Sequence, residues 1–443
     1  MDAQGETRFQ DGATRGEFLK LGLLGGAAAA GFLGPLADIA SAAPAGADAV
    51  TGTISTWSPD TRPDALSSEK WWDAAFTKAN PGVKVKQLTV PYGKDNVKLK
   101  AGQKTGLVPD MLWAYTDLLV SYGQSGQTRK VYDIIAKIGR KRFLPAAINS
   151  ITTKGNIYSV PFVGFPFFIY YRKDVYAKLG LKPPTTHAEL LANVKATHNP
   201  PNQYGYMLTN QSASDTFNLK TAMWTHGAYY FDKQDNLALD RPQTIEAWDF
   251  FKALGTYSPP GSLAQGDLDA RQLLVDGKVA HMFTTTSFAA NIKPAEIGNF
   301  GAFLYPQKAG AGGASLDFYG FDIPTKAKNP DGAKAMIEFL LDKKNFQEYL
   351  KRTVIGWVPM LADAYTPAYL NSPRIKPFKE FIALGSKSAA TGIVGTGYFG
   401  PSTHAPALVA TDVEKQIGDR LVVNGASSQD TLKWAVDTIK AAL

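Results

Sequence analysis

Two spacings in this chain could carry chemistry by themselves. Gly395, Gly397 and Gly400 form a G-x-G-x-x-G run, which cradles a dinucleotide pyrophosphate when it joins the first strand and helix of a βαβ unit. Here it stands near the C-terminus with Pro401 directly behind it, so that context is missing. Asp232, Asp235 and Asp240 alternate within FDKQDNLALD. That run lacks the central glycine and closing glutamate of a calcium loop and suits an exposed hairpin. The 5 histidines (His187, His198, His226, His281 and His404) are scattered, none paired at metal-ligand spacing. There is no cysteine, no P-loop, no G-x-S-x-G and no H-E-x-x-H. Thiol catalysis, thiolate zinc and disulfide scaffolds are thereby excluded, and no catalytic residue, metal or cofactor is expected.

The elements that would position any site can be read from hydrophobic pattern and turn signals. Thr53–Trp57 predicts a short strand. A helix carrying Leu66, Trp72 and Phe76 follows and stops at Asn80-Pro81-Gly82. Strands are predicted over 83–90 and 109–115, with a lysine-rich helix over 95–103 between them. Strands alternating with helices imply crossover connections and a parallel sheet. Gly155–Asp174, GNIYSVPFVGFPFFIYYRKD, is aromatic and β-branched but interrupted by Pro161 and Pro166. Prolines donate nothing to a ladder, so two short segments joined by a stiff crossing fit better than one central strand. Beyond it, helices are expected over 186–198 and 244–254. Strands are expected over 275–284, 300–305 and 318–323. Lys308–Ala314 reads as a flexible loop. Asn329 and Pro330 supply a cap and a first-turn proline for a helix to about Asp342. Helices over 406–422 and 428–442 close the chain.

At 443 residues, two domains or lobes are expected. Apolar content of 44% supports packed interiors, and 19% charged residues argues against disorder. Residues 1–42 carry Arg8, Arg15 and Lys20 against Asp2, Glu6, Asp11, Glu17 and Asp38. That segment is net −2, so its removal would take the chain from +8 to +10. The basic residues are spread out rather than gathered into an arm, so no nucleic-acid partner is expected. Leu21–Ala37 is an uncharged Ala/Gly-rich run followed by Ala40-Ser41-Ala42, the pattern of an export signal cleaved near Ala42. It is shorter and less apolar than the roughly 20 residues of a spanning anchor. Thr14–Lys20 resembles the twin-arginine export motif, with Gly16 where the second arginine would stand. Export to the periplasm is expected.

Several segments, in order, resemble the family 1 extracellular solute-binding proteins of ABC importers, the group that includes the maltose-binding protein. They are Asn80–Val85, Pro109–Ala114, Tyr122–Gly126, Tyr170–Asp174, Gly180-Leu181 with Pro184–Thr186, Gly277–Met282, and Pro324–Leu340. The resemblance covers nearly everything after residue 50. It implies a type II two-lobed α/β fold, each lobe a mainly parallel sheet flanked by helices, with ligand in the cleft between them. It puts lobe one at 48–163 with 317–356, and lobe two at 164–316 with 357–443.

In such folds the C-terminal ends of strands face the crevice, and sugar sites pair aromatic plates with polar side chains. The candidates in lobe one are Trp57, Ser58, Tyr92, Tyr115, Thr116 and Asp117. The resemblance adds Phe165 at the first crossing, where the maltose-binding protein has an acidic residue. It also adds Tyr319 and Gly320 at the second crossing and Trp357 at the third. Lobe two would offer Trp224, Thr285, Ser287, Phe288 and Tyr398. Trp71, Trp72 and Trp248 read as core. Trp57, Tyr115 and Tyr319 read as cleft, whereas Trp224, Phe288, Trp357 and Tyr398 fit either place. Asp117 fits a helix cap as well as a ligand contact. The implied function is capture of a mono- or oligosaccharide by a monomeric, non-enzymatic receptor that delivers it to ABC permease subunits. The +10 charge and the missing acid at Phe165 leave open an anionic polyol or glycerophosphodiester. Dispersed carboxylate pairs leave open a secreted glycan-active enzyme.

Overall fold

A computed structural model describes residues 50–91, 94–115, 118–211, 216–395 and 397–443, apart from the side chains of Asn96 and Pro406. These lie within one compact unit, Asp48–Leu443. The expected export signal, Tyr92, Thr116 and Asp117 fall outside the described residues. No helix among the described residues is long and apolar enough to cross a membrane.

The chain begins as the alternating pattern requires. Strand β1 (Gly52–Ser58), helix α1 (Pro63–Ala79), β2 (Val83–Thr89), α2 (Asp95–Thr105) and β3 (Met111–Tyr115) follow one another. β1 pairs in parallel with β2 (Trp57 opposite Leu88) and with β3. The proline-interrupted segment forms two strands, β4 (Val160–Gly164) and β5 (Phe167–Arg172), separated by Phe165-Pro166. They belong to different sheets. The opposing ladder shifts register at Tyr319/Gly320, and Gly320 faces Pro161, so the irregularity falls where a donor is absent.

Helices α3 (His187–Thr197), α4 (Phe217–His226), α5 (Pro242–Thr256) and α6 (Asp267–Val275) build the second half. Strands β6 (His281–Thr285) and β7 (Phe300–Phe303) complete its sheet. The strand expected from Val275 starts later, because 267–275 is helical and Gly277, at φ 71°, makes the turn that precedes β6. β8 (Phe318–Asp322) and α7 (Pro330–Leu341) return the chain to the first sheet. The Asn329 side chain accepts from Gly332 N–H at 3.0 Å, as the expected cap. After β9 (Val358–Pro359) come α8 (Lys379–Thr391), α9 (Ala405–Thr411), α10 (Val413–Gly418) and α11 (Ser428–Ala442). The single helix expected over 406–422 is broken at Asp412, whose φ of 52° leaves the helical region.

The sheets are β9-β4-β8-β3-β1-β2 and β6-β5-β7. The first is parallel only across β1, β2 and β3, since β8 runs antiparallel to β3 and β4. In the second, β5 pairs antiparallel with both neighbours. Among the described residues, parallel bridges such as Tyr204–Val279 and Met207–Met282 add to it. The expectation of two mainly parallel sheets is corrected accordingly: each return of the chain from the other sheet enters against the strand it joins. β9 lies beside β4, and Trp357, Tyr369 and Ile375 belong to the first sheet's core. The chain after residue 357 therefore serves the first sheet before the second. Leu408, Ile417 and Leu432 belong to the second sheet's core.

Candidate functional site

The crossings are tied side by side. Phe165 N–H donates to Asp317 O (2.8 Å), Phe167 N–H to Ser315 O (3.1 Å), and Thr286 N–H to Pro166 O (3.0 Å). Gly385 of α8 packs over the same point, where a Cβ would lie 2.4 Å from Thr286 Cγ2.

On the side of the first sheet, β1 delivers Trp57 and Ser58 to its C-terminal end. Ser58 Oγ donates to Glu69 Oε1 of α1 at 2.7 Å. Two residues on, buried Asp60 accepts from Arg62 Nε at 2.9 Å and forms an ion pair through Arg62 Nη2. The Arg62 guanidinium lies 4.8 Å from the centre of the Trp357 ring. A carboxylate and an indole face thus clamp one partly exposed arginine. Sequence reasoning missed Asp60 and Arg62; their signal was their position directly after the Trp57-Ser58 strand end. Burial, reinforced by Asp60 and Asp73 and opposed by the Ser58 hydroxyl, pushes Glu69 up to about 8.

Not every expected plate is open. Trp57 is 7% exposed, and Lys98 Nζ sits 4.9 Å from its ring centre. Tyr319 is fully buried, with Trp113 and Phe165 at 5.3 Å and Trp357 at 5.4 Å, all edge-on. It is core rather than cleft. Gly320 is a packing glycine: a Cβ there would meet Ser159 Oγ at 2.0 Å. Trp224 and Phe288 are likewise fully buried in the second half, Phe288 against Tyr170 at 4.7 Å. Trp357, 1% exposed, packs against Arg62, Tyr319 and Trp113. Tyr115, Phe165 and Tyr398 remain partly exposed.

Thr285 ends β6 and Ser287 follows in the next turn, but their hydroxyls are engaged by buried Arg271. Its Nη2 donates to Thr285 Oγ1 (2.8 Å) and its Nη1 to Ser287 Oγ (3.2 Å). Asp267 holds the same guanidinium at 2.8 Å. Arg271 was also missed, although the Asp267–Arg271 spacing on a helix was a usable signal.

Between the two halves lies a cavity of about 310 Å³. Asn149, Thr153 and Lys154 line it from the segment before β4, and the 232–235 turn, Tyr398 and Phe399 line it from the other side. The turn is the hairpin expected around Asp232, closed by a Phe231–Leu237 bridge. Asp235, at φ 64°, accepts from Ser402 Oγ (2.6 Å), Thr403 N–H (2.9 Å) and Thr403 Oγ1 (2.6 Å). Burial opposes these bonds, but together they hold its carboxyl below the usual range. The Gly-rich turn that carries Tyr398 and Phe399 is thereby latched to the hairpin. No cluster of three or more metal-ligating side chains occurs among the described residues.

A family profile described as bacterial extracellular solute-binding protein matches residues 71–377. A putative binding protein of Brucella abortus is 26% identical over 363 residues, 80% of this chain and 86% of its own. A maltotriose-binding protein of Pyrococcus abyssi is 25% identical over 322 residues, covering 68% and 66%. Among solved structures, the GacH receptor of Streptomyces glaucescens, crystallised unliganded and with acarbose, superposes with a TM-score of 0.72. It is 18% identical and covers 89% of this chain and 99% of its own. That likeness concerns the fold: two lobes with a cleft between them.

Proposed function

The chain belongs to the bacterial extracellular solute-binding proteins, and we propose that it captures a carbohydrate between its lobes and delivers it to the permease of an ABC importer. The observation that carries this reading is the cavity between the two halves, where the Tyr398 and Phe399 rings meet the polar side chains of Asn149, Lys154 and Thr403. An aromatic plate with a rim of amides, hydroxyls and charges suits a pyranose face and its hydroxyls. Micromolar capture needs roughly 8 kcal/mol, while one aromatic contact or one hydrogen bond contributes about 0.5–1.5 kcal/mol. Groups from both lobes must therefore act together, and ligand favours the closed state.

We assign lobe one to about 48–163 with 317–375 and lobe two to about 164–316 with 376–443. This moves the last boundary past the segment that pairs with β4. The mature protein acts as a periplasmic monomer after cleavage near Ala42. The names of relatives support the ligand class, since one of them binds maltotriose.

A thermal-shift screen of neutral sugars, sugar acids and glycerophosphodiesters tests this, because bound ligand raises stability as RT ln(1 + [L]/Kd). Neutral saccharides are expected to raise Tm without being converted. A shift with anionic ligands alone would replace the carbohydrate reading, and product formation would replace the receptor with a glycan-active enzyme.

A further inference from the structure

A second cavity, of about 420 Å³, lies wholly within the half built on β5, β6 and β7. Its volume falls in the range of about 300–1,000 Å³ typical of small-molecule sites. His226 at the end of α4, Gln243 and Glu246 in the first turns of α5, and Lys308 on the following loop line it, with Tyr398 and Phe399 as its outer wall. Those two aromatics also line the cavity between the lobes. We propose that this cavity is a second saccharide-binding site, which receives the end of an oligosaccharide that runs out of the cleft over Phe399. The proposal rests on the carbohydrate reading above and extends it to the length of the ligand.

Several observations converge on it. Phe399 is 43% exposed, an unusual position for so large an apolar ring. Tyr229 at 4.8 Å and Tyr398 at 4.9 Å brace it edge-on, so the plate is held in place. The wall opposite is built rather than loose. Lys308 N–H donates to Thr225 O (2.9 Å) and Gly312 N–H to Trp224 O (3.0 Å), both carbonyls in the last turn of α4. The 308–314 segment is a loop, as expected, tied to α4 at these two points.

Lys308 and Glu246, the two charged side chains that line the cavity, pair with each other, and both keep lone pairs or protons for a sugar rim. Lys233 and Arg241 lie against the Phe399 and Tyr229 rings, at 5.6 Å and 4.0 Å from their centres. His226 Nδ1 bonds Ala222 O at 2.7 Å, which makes Nδ1 the protonated nitrogen and Nε2 an acceptor. Its ring stacks on His187 at 3.8 Å. Burial, with a further push from Lys308, keeps His226 below its usual range despite the Ala222 bond and Glu246.

The test is calorimetric titration of the mature chain with α-1,4-glucan, β-1,4-xylan and β-1,4-mannan ladders, each from monosaccharide to hexasaccharide. In the series that binds, affinity is expected to rise about tenfold between the shortest binder and the longest, the gain of one added aromatic contact with its hydrogen bonds. Gln243→Ala and the cavity-filling Ala309→Trp should each abolish that rise and leave the shortest binder's affinity unchanged. Binding without length dependence, or a rise that survives in both variants, overturns the second site and leaves the cleft reading standing. If no member of any ladder binds, the carbohydrate reading fails and this one fails with it.

Discussion

The two halves of the molecule bury charge in opposite ways. Around β6, buried ions are paired. Lys220 and Glu414 lie 3.5 Å apart, each 5% exposed, with Thr216 Oγ1 donating to the same carboxylate at 2.7 Å. Arg271 is held by Asp267. Around β8, by contrast, buried Asp322 and Glu69 and half-buried Asp73 have no cationic partner among the described residues, although nearby Asp60 keeps one in Arg62. Burial pushes Asp322 well above the usual carboxylate range, only partly offset by the Ser159 and Thr128 hydroxyls. It pushes Glu69 to about 8 and Asp73 to about 7. An acid without a counter-charge in low dielectric keeps its proton instead. Asp322, Glu69 and Asp73 thus tolerate neutralisation, whereas the pairs around β6 depend on keeping both members.

The largest effect should come from breaking a pair. Lys220→Ala strands the Glu414 carboxylate and is expected to cost about 3–5 kcal/mol in urea unfolding. A Lys220→Met/Glu414→Leu double variant should recover most of that, and a loss under about 1 kcal/mol for the single variant would erase the contrast. Close behind is Tyr319→Ala, which empties a site ringed by Trp113, Phe165 and Trp357 and should cost about 3–5 kcal/mol. Retained stability with lost ligand binding would instead return Tyr319 to the cleft. A smaller effect follows from pH. The folded-state value of Glu69 is raised, so its contribution is fully present below the usual 4.5 and is lost as pH rises through about 8. Stability measured between pH 5 and pH 8 should fall, and Glu69→Gln should flatten the fall while changing acid stability little. Smallest is Asp235→Ala, which frees the 402–403 turn and should cost about 1 kcal/mol. A measurable loss of ligand affinity alongside it would tie the latch to the positioning of Tyr398 and Phe399.

Much of the architecture was legible locally. Pro161 and Pro166 announced two strands in place of one, and the Asn329-Pro330 pair marked the start of α7. The ordered family segments implied two lobes and the crossings between them. The site was less legible. Trp57, Ser58 and Tyr115 do stand at strand ends, but Tyr319, Trp224 and Phe288 turned inward. An aromatic at a strand end announces only that it needs cover, and whether another element or a ligand supplies it depends on packing across the sheet. Thr285 and Ser287 do lie at and just after the end of β6, yet their hydroxyls are committed to an arginine on α6.

By itself the sequence determined most of the turns, many of the helices and strands, and that cysteine chemistry is excluded, because these follow from side-chain type and short-range spacing. Tertiary structure alone decided which aromatics stay open, which hydroxyls remain uncommitted, and that residues after 357 rejoin the first sheet. Those outcomes depend on contacts between residues far apart in the chain, such as β9 against β4 or Asp235 against Thr403, which no local pattern encodes.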